Sequence, residues 1–448
     1  MPVILAAGNL ADFFETEAQL TEPWPMIAAA VVHVALVGAF FGLPAGIGIW
    51  AERKVSGRIQ DRLGPTRVGG KFGWLQSLAD GMKLVQKEDL APSAADGMLF
   101  RVAPYIVIVA SITAFMVLPF SDGWVSVAMD CGLFLIFAIL SLEVVGVILA
   151  GYSSGSKWAL FGAMREAAQM VSYEIPMAIC GLVPIVAAGS LNLGEIGEMQ
   201  QGLAYNWLIF NNPCTLAGFF VYFTCATASC KRAPFDLAEA ESELVAGFLT
   251  EYSGMRWSFF FLGEYASMFV VSGIATILFL GGWHDGLGIV SGLRANSQVG
   301  EYIAQILGIG IFISKASLLV LVQIWVRWTL PRLRIDQVMT TCLKYLLPIS
   351  CVLFLGAIIW PLLLMGTGKT HLISPLGERV PRTAAVEKVE SDLGEASGIP
   401  MDLEDLIENE SSEGEAPADD STSADHSAGD DEATDAPEEA ASDSGEDK

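Results

Sequence analysis

FAILSLEVVGVILAG, residues 137 to 151, is apolar apart from Ser141 and Glu143. It ends a longer apolar run, 125 to 151, long enough to cross about 30 Å of hydrocarbon as a helix rising about 1.5 Å per residue. Glu143 then lies well inside the span, where a charge costs about 2.5 to 3.5 kcal/mol on insertion scales. One stretch therefore points to a membrane helix and to a carboxylate with a task in it.

Further such runs occur near 24 to 50, 100 to 120, 158 to 188, 213 to 230, 259 to 281, 301 to 327 and 342 to 367. With 125 to 151 they predict an all-α integral membrane protein of about eight transmembrane helices. The run at 213 to 230 is the shortest and starts at Asn211-Asn212-Pro213, where proline sets a helix start. Losing it would invert everything after it. The 448 residues are 53% hydrophobic and 17% charged, which excludes a soluble globular chain. The first run does not read as a signal peptide, because acidic residues (Asp12, Glu15, Glu17, Glu22) precede it and basic ones follow.

The formal charge of −25 is uneven. Residues 387 to 448 hold 23 acidic and 2 basic residues, −21 of the total, so the membrane body carries only −4. That tail has no aromatics and few aliphatics, so residues 368 to 448 are read as a disordered acidic tail. Within it, MDLEDLIENE (401 to 410) reads as a solvated spacer or as a short helix formed on a partner. Orientation follows from basic residues in short loops. Arg53, Lys54, Arg58, Arg62, Arg67, Lys71, Lys83 and Lys87 follow the first helix, and Lys157, Arg165, Lys231, Arg232, Arg256, Arg327, Arg332 and Arg334 follow the third, fifth and seventh. Loops 119 to 124 and 189 to 212 contain no Lys or Arg. The basic loops define one cytoplasmic side, with both termini outside, including residues 1 to 23.

Seven cysteines are scattered without a CxxC pair, and four histidines form no ligand motif, so no zinc or iron–sulfur site is expected. No phosphate-cradling loop, dinucleotide fingerprint or nucleophile elbow occurs, and nothing points to nucleic acid. No redox cofactor of the chain's own is expected.

What remains is the placement of ionisable groups. Glu143, Glu174 (in AQMVSYEIPMAIC) and Glu264 (in FFFLGEYASMFV) lie inside apolar runs, so each must face the bundle interior, a partner or water. A single such residue can be a buried structural hydrogen bond; three together favour a shared function. The stretch RAPFDLAEAESELVAGFLTEYSG, residues 232 to 254, adds Asp236, Glu239, Glu241, Glu243 and Glu251. If it is helical, Asp236, Glu239 and Glu243 share one face. Two carboxylates about 6 Å apart repel by roughly 3 kcal/mol at an effective dielectric near 20, about two pKa units. Such a cluster is expected to hold protons near neutral pH and to act as a relay.

Residues 51 to 88 open on a charged cluster and turn through Gly64-Pro65 and Gly69-Gly70. They close on GWLQSLADGMKLVQKE, where Trp74, Leu75, Leu78, Met82 and Val85 recur at helical spacing. That interfacial helix is a membrane anchor or the lip of a pocket for an amphipathic ligand arriving from the lipid.

Five segments in this order, ERKVSGRIQDRLGP, GWLQSLADGMKL, SKWALFGAMREAAQMVSYEIP, RAPFDLAEAESELVAGFLTEYSGMRWSFFFLGEY and IWVRWTLPRLRIDQVM, closely resemble the quinone-channel membrane subunit of proton-pumping NADH:quinone oxidoreductase, respiratory complex I. The resemblance covers about residues 20 to 366 and leaves the acidic tail unexplained. It implies that quinone is the substrate and that FMN and iron–sulfur clusters sit on partner subunits. The implied partners are the peripheral-arm quinone-site subunits, the antiporter-like membrane subunits and membrane lipid. By position it assigns Glu52, Arg53, Arg62 and Asp80 to the quinone chamber. It assigns Glu143, Glu174, Asp236, Glu239, Glu241, Glu243, Glu251 and Glu264 to an acidic path leading from it. Glu166 is left without a role, and Lys315 is a further relay group or a counter-ion. The expected mechanism is indirect: quinone reduced by a partner's electrons changes the charge at the chamber, and the acidic path answers by shifting protons. An equivalent subunit of a membrane-bound hydrogenase-type complex, a free-standing cation/proton antiporter and a purely structural anchor remain as rivals. The full loop followed by the LQSLAD helix favours the quinone version, and no inverted repeat supports the antiporter.

Overall fold

The protein is described by a computed structural model covering residues 24–122, 124–126, 129–237, 241–294 and 298–366. Residues 1 to 23, Glu239 and the acidic tail with its 401 to 410 segment lie outside the described residues. The principal helices are α1 (Trp24–Ile59), α2 (Gln76–Gln86), α3 (Gly97–Val117), α4 (Gly132–Ser153), α5 (Lys157–Ala188), α6 (Pro213–Ser229), α7 (Gly254–Phe279) and α8 (Gln298–Thr329). They are followed by α9 (Ile335–Thr340), a π-helical turn (Thr341–Leu346) and α10 (Leu347–Gly366). Among the described residues there is no strand, only one isolated bridge between Leu203 and Leu287. Six of the described helices are long and apolar enough to cross a membrane. They are α3, α4, α5, α7, α8 and the joined α9–α10 run, while α6 is apolar but has 17 residues.

Helix ends are fixed by local chemistry. Asp96 caps α3 by accepting from the backbone N–H groups of Met98 and Leu99 at 3.2 and 3.4 Å. Asn212 caps α6 by accepting from Cys214 N–H at 2.9 Å, with Pro213 in the first turn where no N–H is needed. Gly189 closes α5 in the left-handed region (φ 75°) and its backbone N–H donates to Ile185 O at 2.7 Å.

In lipid, helices associate through close packing of small residues rather than through the hydrophobic effect. Val107 of α3 sits between Gly146 of α4 and Gly263 of α7, where an added Cβ would lie 2.6 and 2.8 Å from its side chain. α7 is the hub, with 83% of its spanning window buried against 17% for the α9–α10 run at the rim. Its Phe269 stacks on Phe115 of α3 at 5.8 Å and meets Phe312 of α8 edge-on at 6.5 Å.

The continuous helix expected over residues 236 to 248 is not formed. Among the described residues of this stretch, helix covers Glu241–Leu244 and a 3-10 turn Gly247–Leu249, joined through Val245 in the left-handed region (φ 67°). Asp236 and Glu243 therefore do not share one continuous helix, and Glu239 lies outside the described residues.

Candidate functional site

The charged centre is built on the turn that leaves α6. Lys231 adopts a left-handed backbone (φ 58°), a conformation side-chain-bearing residues rarely take. Gln169 of α5 secures the preceding helix end by donating to Ala228 O at 2.7 Å. This geometry turns Lys231 and the fully buried Arg232 inward to opposite partners.

Arg232 faces α1 and α7. Its Nη1 donates to Glu52 Oε2 at 2.8 Å and its Nε lies 2.6 Å from Glu264 Oε1. Glu52 also accepts from Arg327 Nη1 of α8 at 2.7 Å and from the hydroxyl of Tyr265. The Tyr265 ring lies under the guanidinium, 4.4 Å from its centre. Lys231 faces α4 and α5. Its Nζ donates to Glu143 Oε1 at 2.9 Å and lies 2.6 Å from Glu166 Oε1, with Glu143 and Glu166 only 3% and 1% exposed. Burial works against the Lys231 ammonium, but the charges of Glu143 and Glu166 outweigh it and hold its pKa above the usual range. The Arg232 guanidinium is likewise held up, against burial, by Glu264, Tyr265 and Glu52.

Four carboxylates and three cations thus form one buried array joining the α6 turn to five helices. Such an array is stable only while each ion keeps its partner.

The remaining acids are arranged differently. Glu243 is exposed and salt-bridged to Arg165 Nη1 at 2.6 Å and Arg332 Nη2 at 3.1 Å. Its hydrogen bond from Arg165 and the nearby positive charges hold its carboxyl below the ordinary value. The expectation that it stores a proton near neutral pH is therefore corrected. Asp236 is half-buried in irregular chain and Glu251 half-buried in the turn before α7; Glu241 opens a one-turn helix, of which only the backbone is described. Glu174, further along α5 than Arg165, borders a cavity of about 250 Å³ with Phe137, Leu140, Ser141, Ile175, Met177 and Ala178.

At the charged end of α1, Arg53 bridges to Asp80 of α2, and Gln76 donates to the other Asp80 oxygen at 3.2 Å. Ser77 ties α2 to α1 by donating to Gly46 O at 2.8 Å. Gly73 permits the approach, since a Cβ there would fall 2.2 Å from Pro65 O. The apolar face of α2 (Leu78, Met82, Val85) and Trp74 just before it are exposed, and Arg62 is exposed, donating to Gln60 at 2.7 Å.

A second polar cluster sits at the far end of α7. Lys315 Nζ donates to three backbone carbonyls, Leu280 (2.6 Å), Gly282 (3.2 Å) and His284 (2.6 Å), and lies 4.2 Å from the Trp207 ring centre. Burial first, then Lys315, pushes the His284 imidazole down to about 4.

The family model described as NADH dehydrogenase matches residues 31–358. The chain belongs to the H-subunit family of NADH-quinone oxidoreductase. It is 47% identical over 340 residues to the H subunit of the NADH-quinone oxidoreductase of Chlorobaculum tepidum, covering 75% of this chain and 93% of that one. It is 41% identical over 367 residues to the Anaeromyxobacter dehalogenans protein of the same name (81% and 85% covered), and 43% identical over 343 residues to that of Geobacillus kaustophilus (74% and 96%). Of the residues expected from the family resemblance, Glu52, Glu143 and Glu264 converge on one array, and Arg53 meets Asp80. Glu174 feels the charge of Glu143 from beside the array, while Arg62 and Glu243 bond elsewhere. Sequence reasoning counted Lys231, Arg232 and Arg327 only as loop charges and did not single out Tyr265. Glu166 beside Arg165 stood out without a role.

Proposed function

We propose that this chain walls the quinone chamber of a proton-translocating NADH:quinone oxidoreductase and carries the acidic path coupling quinone reduction to proton pumping. The observation that carries this reading is the buried array itself, four carboxylates held by three cations across α1, α4, α5, α7 and α8. An anchor would not need it, because burying such ions costs several kcal/mol each before their pairing. Glu52 ends the array next to Arg53, Asp80 and α2, where a hydrophobic quinone would arrive from the lipid along the exposed apolar face. Arg62 belongs to the same loop.

Electrons come from FMN and iron–sulfur clusters on partner subunits; this chain's residues bind, orient and hold protons. A change of charge near Glu52 disturbs Arg232, which also holds Glu264, and the neighbouring Lys231 passes the disturbance to Glu143. Glu174, Asp236, Glu239, Glu241 and Glu251 extend the path toward antiporter-like subunits, with Glu243, paired to Arg165 and Arg332, beside it as a fixed charge. In this reading α1 and α6 complete eight spans in a bacterial inner membrane, the loops after the first, third, fifth and seventh spans are cytoplasmic, and both termini lie outside. Residues 24 to 367 are read as the membrane domain, and the expected N-terminal segment 1 to 23 and acidic tail 368 to 448 lie outside the described residues.

The test is Glu174→Gln in the assembled complex, reconstituted in vesicles. Quinone reduction and proton uptake are both expected to fall while assembly and cluster content stay normal. If both rates match the unsubstituted complex, Glu174 is structural and the path does not pass through it.

A further inference from the structure

The charges of the array do not balance evenly. On the Arg232 side, Glu52 and Glu264 face Arg232 and Arg327, two charges against two. On the Lys231 side, Glu143 and Glu166 share one ammonium. Fully ionised, that trio would carry a net −1 in a place where Lys231, Glu143 and Glu166 are 10%, 3% and 1% exposed. An uncompensated buried charge takes up a proton rather than persist.

The hydrogen bonds identify the acid that would hold it. Glu143 accepts a hydrogen bond from Lys231 Nζ at 2.9 Å. Glu166 Oε1 lies closer still to the same nitrogen, at 2.6 Å, but Glu166 Oε2 accepts nothing among the described residues. One turn along the same face of α5, the buried Gln169 uses its amide nitrogen on Ala228 O and leaves its amide oxygen without a donor. Two orphaned acceptors three residues apart on a helix lack one thing, a donor between them. A proton on Glu166 supplies it and cancels the odd charge.

We infer that Glu166 is a proton-binding site: in the resting protein it is a neutral carboxylic acid, sharing Lys231 with an ionised Glu143. The charged groups that act on it are Lys231 on the turn after α6, Glu143 of α4 and Glu264 of α7. Arg165, its neighbour in sequence, points away to Glu243. The protonation follows from the packing alone; its use as a store rests on the coupling reading above.

Infrared spectra of the assembled complex in lipid, recorded in H2O and D2O, test this through the C=O stretch of protonated carboxyls. Glu166→Gln is expected to remove one buried, exchange-shifted band, Glu166→Asp to move it, and Glu143→Asp to leave its position unchanged. Lys231→Met, which removes the shared cation, is expected to add a second band as Glu143 also becomes neutral, and it serves if Glu166→Gln fails to assemble. No loss in Glu166→Gln, a shift caused by Glu143→Asp instead, or no gain in Lys231→Met would each overturn the inference. If the band disappears in Glu166→Gln while protons moved per quinone reduced stay the same, Glu166 holds a proton but the coupling reading fails at this trio.

Discussion

Arg232 meets its two carboxylates through two different nitrogens, Nη1 to Glu52 and Nε to Glu264. A lysine there keeps the charge but is one donor centre on a flexible stem. Removing one partner of a buried pair costs about 3–5 kcal/mol. Arg232→Met is therefore expected to lower the thermal stability and yield of the assembled membrane arm sharply. Arg232→Lys should restore part of the yield but not the quinone-linked activity, as read by melting curves and turnover on the same preparation. Glu52 and Arg232 lie 180 residues apart, and spacing along a chain carries no information about such a meeting. The cost of an intramembrane charge made Glu143 and Glu264 legible, and resemblance supplied Glu52. Lys231 and Arg232 were visible only as loop charges, because a positively charged residue just after a helix is what topology alone requires. Glu166 had no signal beyond its charge, since its significance lies in sharing Lys231 with another helix.

The apolar runs marked the helices, and their ends are set by caps and prolines that the sequence displays. The acidic stretch after α6 misled for a physical reason: helical spacing assumes helical hydrogen bonding, and here Arg165 and Arg332 hold Glu243 outward. The amphipathic pattern of α2, by contrast, is realised, with Leu78, Met82 and Val85, and Trp74 just before it, outward. Leu78→Asp removes an apolar contact of about 1.5–3 kcal/mol, so the apparent KM for a long-tailed quinone should rise about tenfold or more. A short-tailed soluble quinone should be reduced as before, and an equal effect on both quinones would argue for an anchor. The loop closed by Lys315 has a pH signature. His284 titrates at about 4 against an ordinary 6.5, so between these values the unfolded loop binds a proton that the folded loop does not. Stability of the loop should therefore fall as pH drops from 6.5 toward 4, and His284→Gln should flatten that dependence. Hydrogen exchange of residues 280 to 288 across this range reads it.

On the scale of the whole molecule, the array surrounds the most enclosed span. α7 contributes Glu264 and Tyr265, α1 and α8 bring Glu52 and Arg327 to one side, and α4 and α5 bring Glu143 and Glu166 to the other. The paired basic residues after α6 join the two sides, which in the proposed coupling is the route from Glu52 to Glu143. Close packing at Gly146 and Gly263 would hold α3, α4 and α7 together without any of these ions. A scaffold has no use for them, and a coupling device does. The most direct measurement is Glu143→Gln in the assembled complex in sealed vesicles, recording quinone reduction and proton translocation together. The expected result is a fall in protons moved per quinone reduced, with cluster content and assembly intact. An unchanged ratio at an unchanged rate would contradict the claim that this array couples the two.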